Sequence, residues 1–287
     1  MAEVWELHAH SSASDGVFTP SELVHLAREA GVTTLALTDH DTAGGVPEAR
    51  DAARRAGIRL ISGMELSCRI PSTVHVLGLG IDESSEEVAA YTRRRAQERV
   101  RRVEEMCTRL HSLGVPLEAA TVLESAGRMP GRMHVARALM AGGFCRSLRE
   151  AFDRYLREGR PAFVPYEEFT VTGAVELIRR AGGVSILAHP LRMGFSMGHL
   201  ESLVAFWHEA GLEGLEVYHP STGNQHVPGL LRIAAGHALL VTGGSDYHGQ
   251  EGSGEVLGSQ WQRWSGREAD SLALQARLTR ATGERNA

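Results

Sequence analysis

Short apolar runs alternate with helical stretches along most of this chain. That rhythm restricts the fold to βα units arranged on a largely parallel sheet. A first strand is expected over residues 4–8. A helix opens at Thr19-Pro20-Ser21-Glu22, where a capping hydroxyl, a proline and an acid form a start signal, and it ends at Gly31. Strands are expected over 34–38 and 59–66, with a helix over 46–56 closed by Gly57 between them. Residues 69–73 read as a turn and 74–80 as another strand. A connection that short allows an antiparallel hairpin and forbids a parallel crossover. From residue 84 to about 166 the pattern is almost wholly helical and rich in arginine, which predicts an inserted helical domain. The βα rhythm resumes with strands over 184–188, 214–218 and 239–243, and a last helix fits 270–282. Seven or so such strands make an α/β chain that could close into a (β/α)7 barrel formed by residues 1–83 and 167–287, with residues 84–166 as its insertion.

The length of 287 residues suits one barrel-sized domain carrying a smaller one. No apolar run approaches a membrane span, and MAEVWELHAH lacks the basic-then-apolar order of a signal peptide. Cys68, Cys107 and Cys145 are odd in number and far apart, which fits neither a zinc motif nor a disulfide framework and points to a reducing cytoplasm. A net charge of -5 argues against broad coating of nucleic acid. Every basic residue is arginine, so Schiff-base and P-loop lysine chemistry are excluded. The run from Arg93 to Arg102 is interleaved with glutamates and reads as a solvated helix face.

In barrels of this kind the active site lies at the C-terminal ends of the strands. The first strand ends in His8-Ala9-His10, and residues two apart on a strand share a face, so both imidazoles can address one ion. Asp15 follows in the loop. The second strand ends in Thr38-Asp39-His40-Asp41 and the third near Glu65, and the hairpin returns His75 beside it. The last three end in Ala188-His189-Pro190, Tyr218-His219-Pro220 and Ser245-Asp246-Tyr247-His248. Imidazole mixed with carboxylate suits manganese, iron or zinc. Two ions about 4 Å apart can clamp the attacking and leaving oxygens of a displacement at phosphorus, and they activate water without a serine or cysteine nucleophile. His25, His111, His199, His208, His226 and His237 lie outside this pattern and are read as ordinary packed or surface residues.

The segments LHAHSSASDG, ALTDHDT, SGMELSC, VHVLGLG, LAHP, EVYHP and GSDYHG together resemble the PHP (polymerase and histidinol phosphatase) family of metal-dependent phosphoesterases. That resemblance implies a distorted barrel with two or three divalent ions, manganese foremost. One ion would be held by His8, His10, Glu65 and Asp246. A second would be held by Glu65, His75 and His189, with Glu65 bridging, and a third by Asp15, His40 and His248. Gly131-Arg132-Met133-His134 resembles the Gly-Arg-Pro-His motif of stand-alone members that act on nucleotides, with methionine replacing proline. In that branch a helical cap covers the metals. Arg132, His134 and Arg192 would hold a second substrate phosphate, and His219 would hold a phosphate oxygen or assist the leaving group.

The expected protein is therefore a phosphatase or phosphodiesterase of nucleotides. Its substrates would be 3′,5′-nucleoside bisphosphates, the 5′ end of a short RNA, or both, with no membrane and no obligate protein partner. The alternatives are a histidinol-phosphate phosphatase, a proofreading module attached to a polymerase, and a metal-binding regulator.

Overall fold

The computed structural model describes residues 3–69, 73–249, 255–264 and 268–283. Strand β1 (Trp5–Ala9) leads to helix α1 (Pro20–Glu29), then β2 (Thr34–Leu37), α2 (Val46–Ala56), β3 (Arg59–Arg69) and β4 (Thr73–Leu79). The helical segment contains α3 (Glu86–Ser112), α4 (Ala119–Ser125), α5 (Arg132–Ala141) and the short α6 (Leu148–Ala151), which runs into a π-helical turn (Phe152–Leu156). Then come α7 (Val171–Arg180), β5 (Val184–Leu187), a 3-10 turn (Pro190–Met193), α8 (Met197–Glu209), β6 (Gly214–Tyr218), α9 (Val227–Gly236), β7 (Leu240–Gly243), α10 (Trp261–Trp264) and α11 (Glu268–Gly283).

The local signals act as expected. Thr19 and Glu22 form a reciprocal capping box, with Pro20 in the first turn of α1. The chain leaves α2 through Gly57 in the left-handed region, where glycine carries no Cβ penalty.

The seven strands hydrogen-bond in sequence order in one sheet. Neighbours are parallel except that β4 is antiparallel to both β3 and β5. Reversal of β4 carries His75, near its N-terminal end, to the rim where the parallel strands end, opposite Ser67. The last edge returns to the first: Ala9 bridges Tyr247, and the His10 amide donates to the Tyr247 carbonyl at 2.8 Å. The result is a nearly closed barrel. Leu7, Leu35, Leu66, Leu77, Ile186, Leu215 and Val217 are among the buried residues of its core. The middle residues of the turn expected over 69–73 lie outside the described residues.

A second, separate core lies in the helical segment, built on Val103, Met106, Leu110, Val122, Val135, Leu139 and Leu156. Helix α3 joins the two: Val88 and Tyr91 near its start belong to the barrel core, Val103 onward to the second. Two expectations are corrected. Residues 157–166, at the end of the stretch expected to be helical, are not helical, and neither are the four that follow. Gly159 takes φ +79° there, and Pro161 and Pro165 remove amide donors, so the chain returns to the barrel as an irregular strap. The arginine run is not simply a solvated face, because Arg95, Arg99 and Arg102 are buried while Arg93, Arg94 and Arg101 are exposed.

Candidate metal centre

Each donor reaches the rim because its strand ends there. His8 and His10 leave β1 on one face, and the Nε2 atoms of both approach Asp246 Oδ1, at 3.3 and 3.2 Å. The same two atoms lie 3.4 and 3.2 Å from the Glu65 carboxylate. Glu65 also lies close to His40 Nδ1 at 2.9 Å, His75 Nδ1 at 2.8 Å and His189 Nε2 at 2.9 Å. His75 Nδ1 and His189 Nε2 are themselves 3.2 Å apart. Asp15 faces His248 Nε2 at 3.4 Å and His40 Nε2 at 4.0 Å. Donors about 2.1 Å from one tetrahedral ion lie about 3.4 Å apart, so these spacings suit divalent cations. Among the described residues, three donor groups capable of holding an ion emerge: His8, His10, Glu65 and Asp246; His40, Glu65 and His75; and His10, Asp15, His40 and His248. Nine of the residues singled out from the sequence are thus brought together. The grouping differs from the expected sets in two details: His40 joins Glu65 and His75, with His189 beside them at 2.9 Å from Glu65, and His10 joins Asp15, His40 and His248.

The donors also fit a cation by what they lack. His8 Nε2, His10 Nε2, His40 Nδ1, Asp15 Oδ1 and Glu65 Oε2 are buried with no hydrogen-bond partner among the described residues. Buried polar atoms are rarely left unpaired, and cations bound by these groups would satisfy them. Charge follows the same logic. Burial alone would raise the carboxyls of Asp15, Glu65 and Asp246, but the facing imidazoles outweigh it and hold all three well below the usual carboxylate range. Burial pushes the His189 imidazole down to about 4 against the pull of Glu65, which leaves it neutral and able to ligate. The backbone is strained at this rim. Asp41, His189 and Asp246 take φ of 56°, 28° and 55°, a region most non-glycine residues avoid.

A cavity of about 250 Å³ opens over the donors. Barrel residues Asp15, His40, Glu65, His75, His189 and Asp246 line it together with Arg99, Gly131, Arg132, Phe152 and Tyr166 from the helical segment. The guanidinium of Arg132 lies 6.0 Å from the Phe152 ring and 5.6 Å from the Phe163 ring, which limits its freedom. Arg192 also lines the cavity and donates to Asp246 Oδ2 at 2.6 Å. His134 and His219 are set back. Neither is among the lining residues; His134 is buried, with its imidazole pushed down to about 4 by desolvation, and His219 meets Ser221 Oγ at 2.7 Å and Asp246 Oδ2 at 3.4 Å.

Several residues that support the site were given no role from the sequence. Glu216 receives His8 Nδ1 at 3.0 Å and the His189 amide at 2.7 Å. Glu6 accepts from the amides of His8, Ser245 and Gly258. The available signal was an acid inside an otherwise apolar strand, as in WELHA and GLEVY, since a charge buried there needs partners. Asp41 accepts from Arg99, Tyr91 and the Ser67 amide. Burial would raise its carboxyl, and Arg99 and Arg95 hold it far below the usual range.

Comparison with known proteins agrees with this geometry. A family model described as the PHP domain matches residues 6–160. The chain is 36% identical over 249 residues to a 5′-3′ exoribonuclease of Haemophilus influenzae, covering 86% of this chain and 91% of that one. It is 34% identical over 256 residues to a 3′,5′-nucleoside bisphosphate phosphatase of Chromobacterium violaceum, covering 88% and 90%. The crystal structure of an inferred metal-dependent phosphoesterase from Bifidobacterium adolescentis superposes with a TM-score of 0.80 at 34% identity, over 90% of this chain and 92% of that one.

Proposed function

This chain belongs to the PHP family and is a metal-dependent phosphoesterase, and from that premise we propose that it hydrolyses 3′,5′-nucleoside bisphosphates, the 5′ end of short RNA, or both. The observation that carries this reading is a single cavity lined at once by the metal-competent cluster and by Gly131, Arg132 and Met133 at the start of α5. One phosphate would sit over the cluster and a second at the helix start. Bound divalent ions, manganese foremost and iron or zinc also suited to these donors, would activate water and neutralise charge developing at phosphorus.

The chain's own residues do the rest. His8, His10, Glu65 and Asp246 would hold one ion, Glu65, His75 and His189 a second, and Asp15, His40 and His248 a third. Arg132 presents a planar fork to phosphate oxygens, and the amides of Arg132 and Met133 at the start of α5, which have no backbone acceptor among the described residues, favour an anion. Arg192 and His134 would assist there, and His219 would steer Asp246, which it touches. Residues 84–166 act in this reading as a cap domain on the barrel of 1–83 and 167–287, a division supported by the separate core of the helical segment. The three free, buried cysteines support a cytoplasmic site of action. No described helix is long and apolar enough to cross a membrane.

The test is phosphate release from adenosine 3′,5′-bisphosphate, a 5′-phosphorylated short RNA and histidinol phosphate, before and after chelation and Mn²⁺ return. The bisphosphate or RNA should be turned over, chelation should abolish release, and Arg132→Ala should weaken it by about ten- to a hundred-fold, the worth of a charge-assisted hydrogen bond. Turnover of histidinol phosphate alone would refute the substrate assignment.

A further inference from the structure

Arg99 falls in the run that reads as solvated in sequence, yet its side chain is buried between the barrel and the cap and lines the cavity. Its Nε and Nη2 donate to Asp41 Oδ2 at 3.0 and 2.5 Å, and Nη2 also reaches Ser67 Oγ at 3.4 Å. Its Nη1 donates to the Pro130 carbonyl at 3.3 Å. A guanidinium has five N–H donors. These four contacts leave one Nη1 hydrogen without an acceptor among the described residues.

The position of Nη1 is informative. A Cβ added at Gly131 would meet it at 3.0 Å, with no other atom that close. Gly131 has extended backbone, so the residue is not needed there for its conformation. The spare donor therefore lies against the start of α5, on the wall that also carries Arg132. The Tyr166 ring, 5.3 Å from the guanidinium, restricts it further. A group that only neutralised Asp41 could do so from outside the cavity; Arg95 lies 3.6 Å from Asp41 and does not line the cavity.

We propose that Arg99 is a specificity-determining residue that donates its free Nη1 hydrogen to the second phosphate of a bisphosphorylated substrate, while its other edge, on Asp41, fixes the distance from that phosphate to His40. This rests on the nucleotide reading above and adds the residue that selects two phosphates over one. The ligand class is an anion with two phosphates separated by about one ribose.

The experiment compares kcat/KM for adenosine 3′,5′-bisphosphate with kcat/KM for p-nitrophenyl phosphate, which has one phosphate. It uses wild type, Arg99→Lys, and the double variant Asp41→Asn/Arg99→Gln, which removes both buried charges together should the single change fail to fold. A lost substrate contact raises KM for the bisphosphate, and the preference for it should fall about ten- to a hundred-fold. Equal falls in kcat on both substrates would mean that Arg99 acts only through Asp41 on the metal cluster, and the inference would be wrong. A preference retained by the folded variants would also overturn it. If wild type shows no preference for the bisphosphate, the nucleotide reading itself fails and this inference falls with it.

Discussion

Glu65 is fully buried and meets five imidazoles, those of His8, His10, His40, His75 and His189. One carboxylate cannot satisfy five imidazoles by hydrogen bonds alone, and this crowding is what makes a shared cation the economical solution. Glu216 stands behind it and holds His8 through Nδ1 and His189 through its amide. A carboxylate on the far nitrogen of a ligating histidine sets its tautomer and raises its basicity. Glu216→Gln keeps the shape but turns one of two acceptor oxygens into an amide donor. Metal affinity should therefore drop about ten- to a hundred-fold, read by titration in a metal buffer. Wild-type affinity in that variant would show that the backbone alone orients both ligands.

Among elements, the seam between β7 and β1 is set by close backbone approach. A Cβ on Gly244 would lie 2.3 Å from His8 Cβ and 2.7 Å from its amide nitrogen. Gly244→Ala must push the seam apart at the first ligand, costing about 1–3 kcal/mol of stability and lowering metal content in the purified protein. A melting temperature and metal content equal to wild type would show slack in the seam. The strand ends bearing His8, His40, His189 and Asp246 were legible in sequence because a buried strand is a short apolar run and its polar terminus stands out. The reversal of β4, and with it the placing of His75, was legible from the brevity of its turn. Helix α3 was not. Its arginines showed only their local glutamates, whereas Arg99 pairs with Asp41, 58 residues away, and Arg102 with the Val164 carbonyl, 62 residues away. Charge in a sequence window gives no account of partners brought by the fold, so a run that satisfies itself locally looks solvated. The part of the strap over 157–166 was missed for a related reason: its helix-breaking residues are spread among good helix formers.

At the scale of the whole molecule, protons and metal ions compete for one buried cluster. In the ion-free protein, burial would lower the His10 imidazole, but the facing carboxylates of Asp246 and Glu65 outweigh it and push it up to about 10, and His8 is likewise raised by Glu216, Glu65 and Asp246. A histidine raised above its unfolded value of about 6.5 stabilises the fold fully below that pH, and the stabilisation is lost as pH rises through the folded value. Without ions, the melting temperature should thus decline between about pH 7 and pH 10, as the carboxylates lose their imidazolium partners. Ligating histidines must be neutral, so ion uptake at pH 7 should release protons. The apparent binding enthalpy should then differ between buffers of different ionisation enthalpy. Ions at a thousand-fold excess over Kd add about 4 kcal/mol, and the loaded protein should keep its melting temperature over that same alkaline range. A chelated protein that melts as the loaded one does at every pH would mean that the cluster is held by the fold alone, with neither protons nor cations needed to balance Glu65, Asp15 and Asp246.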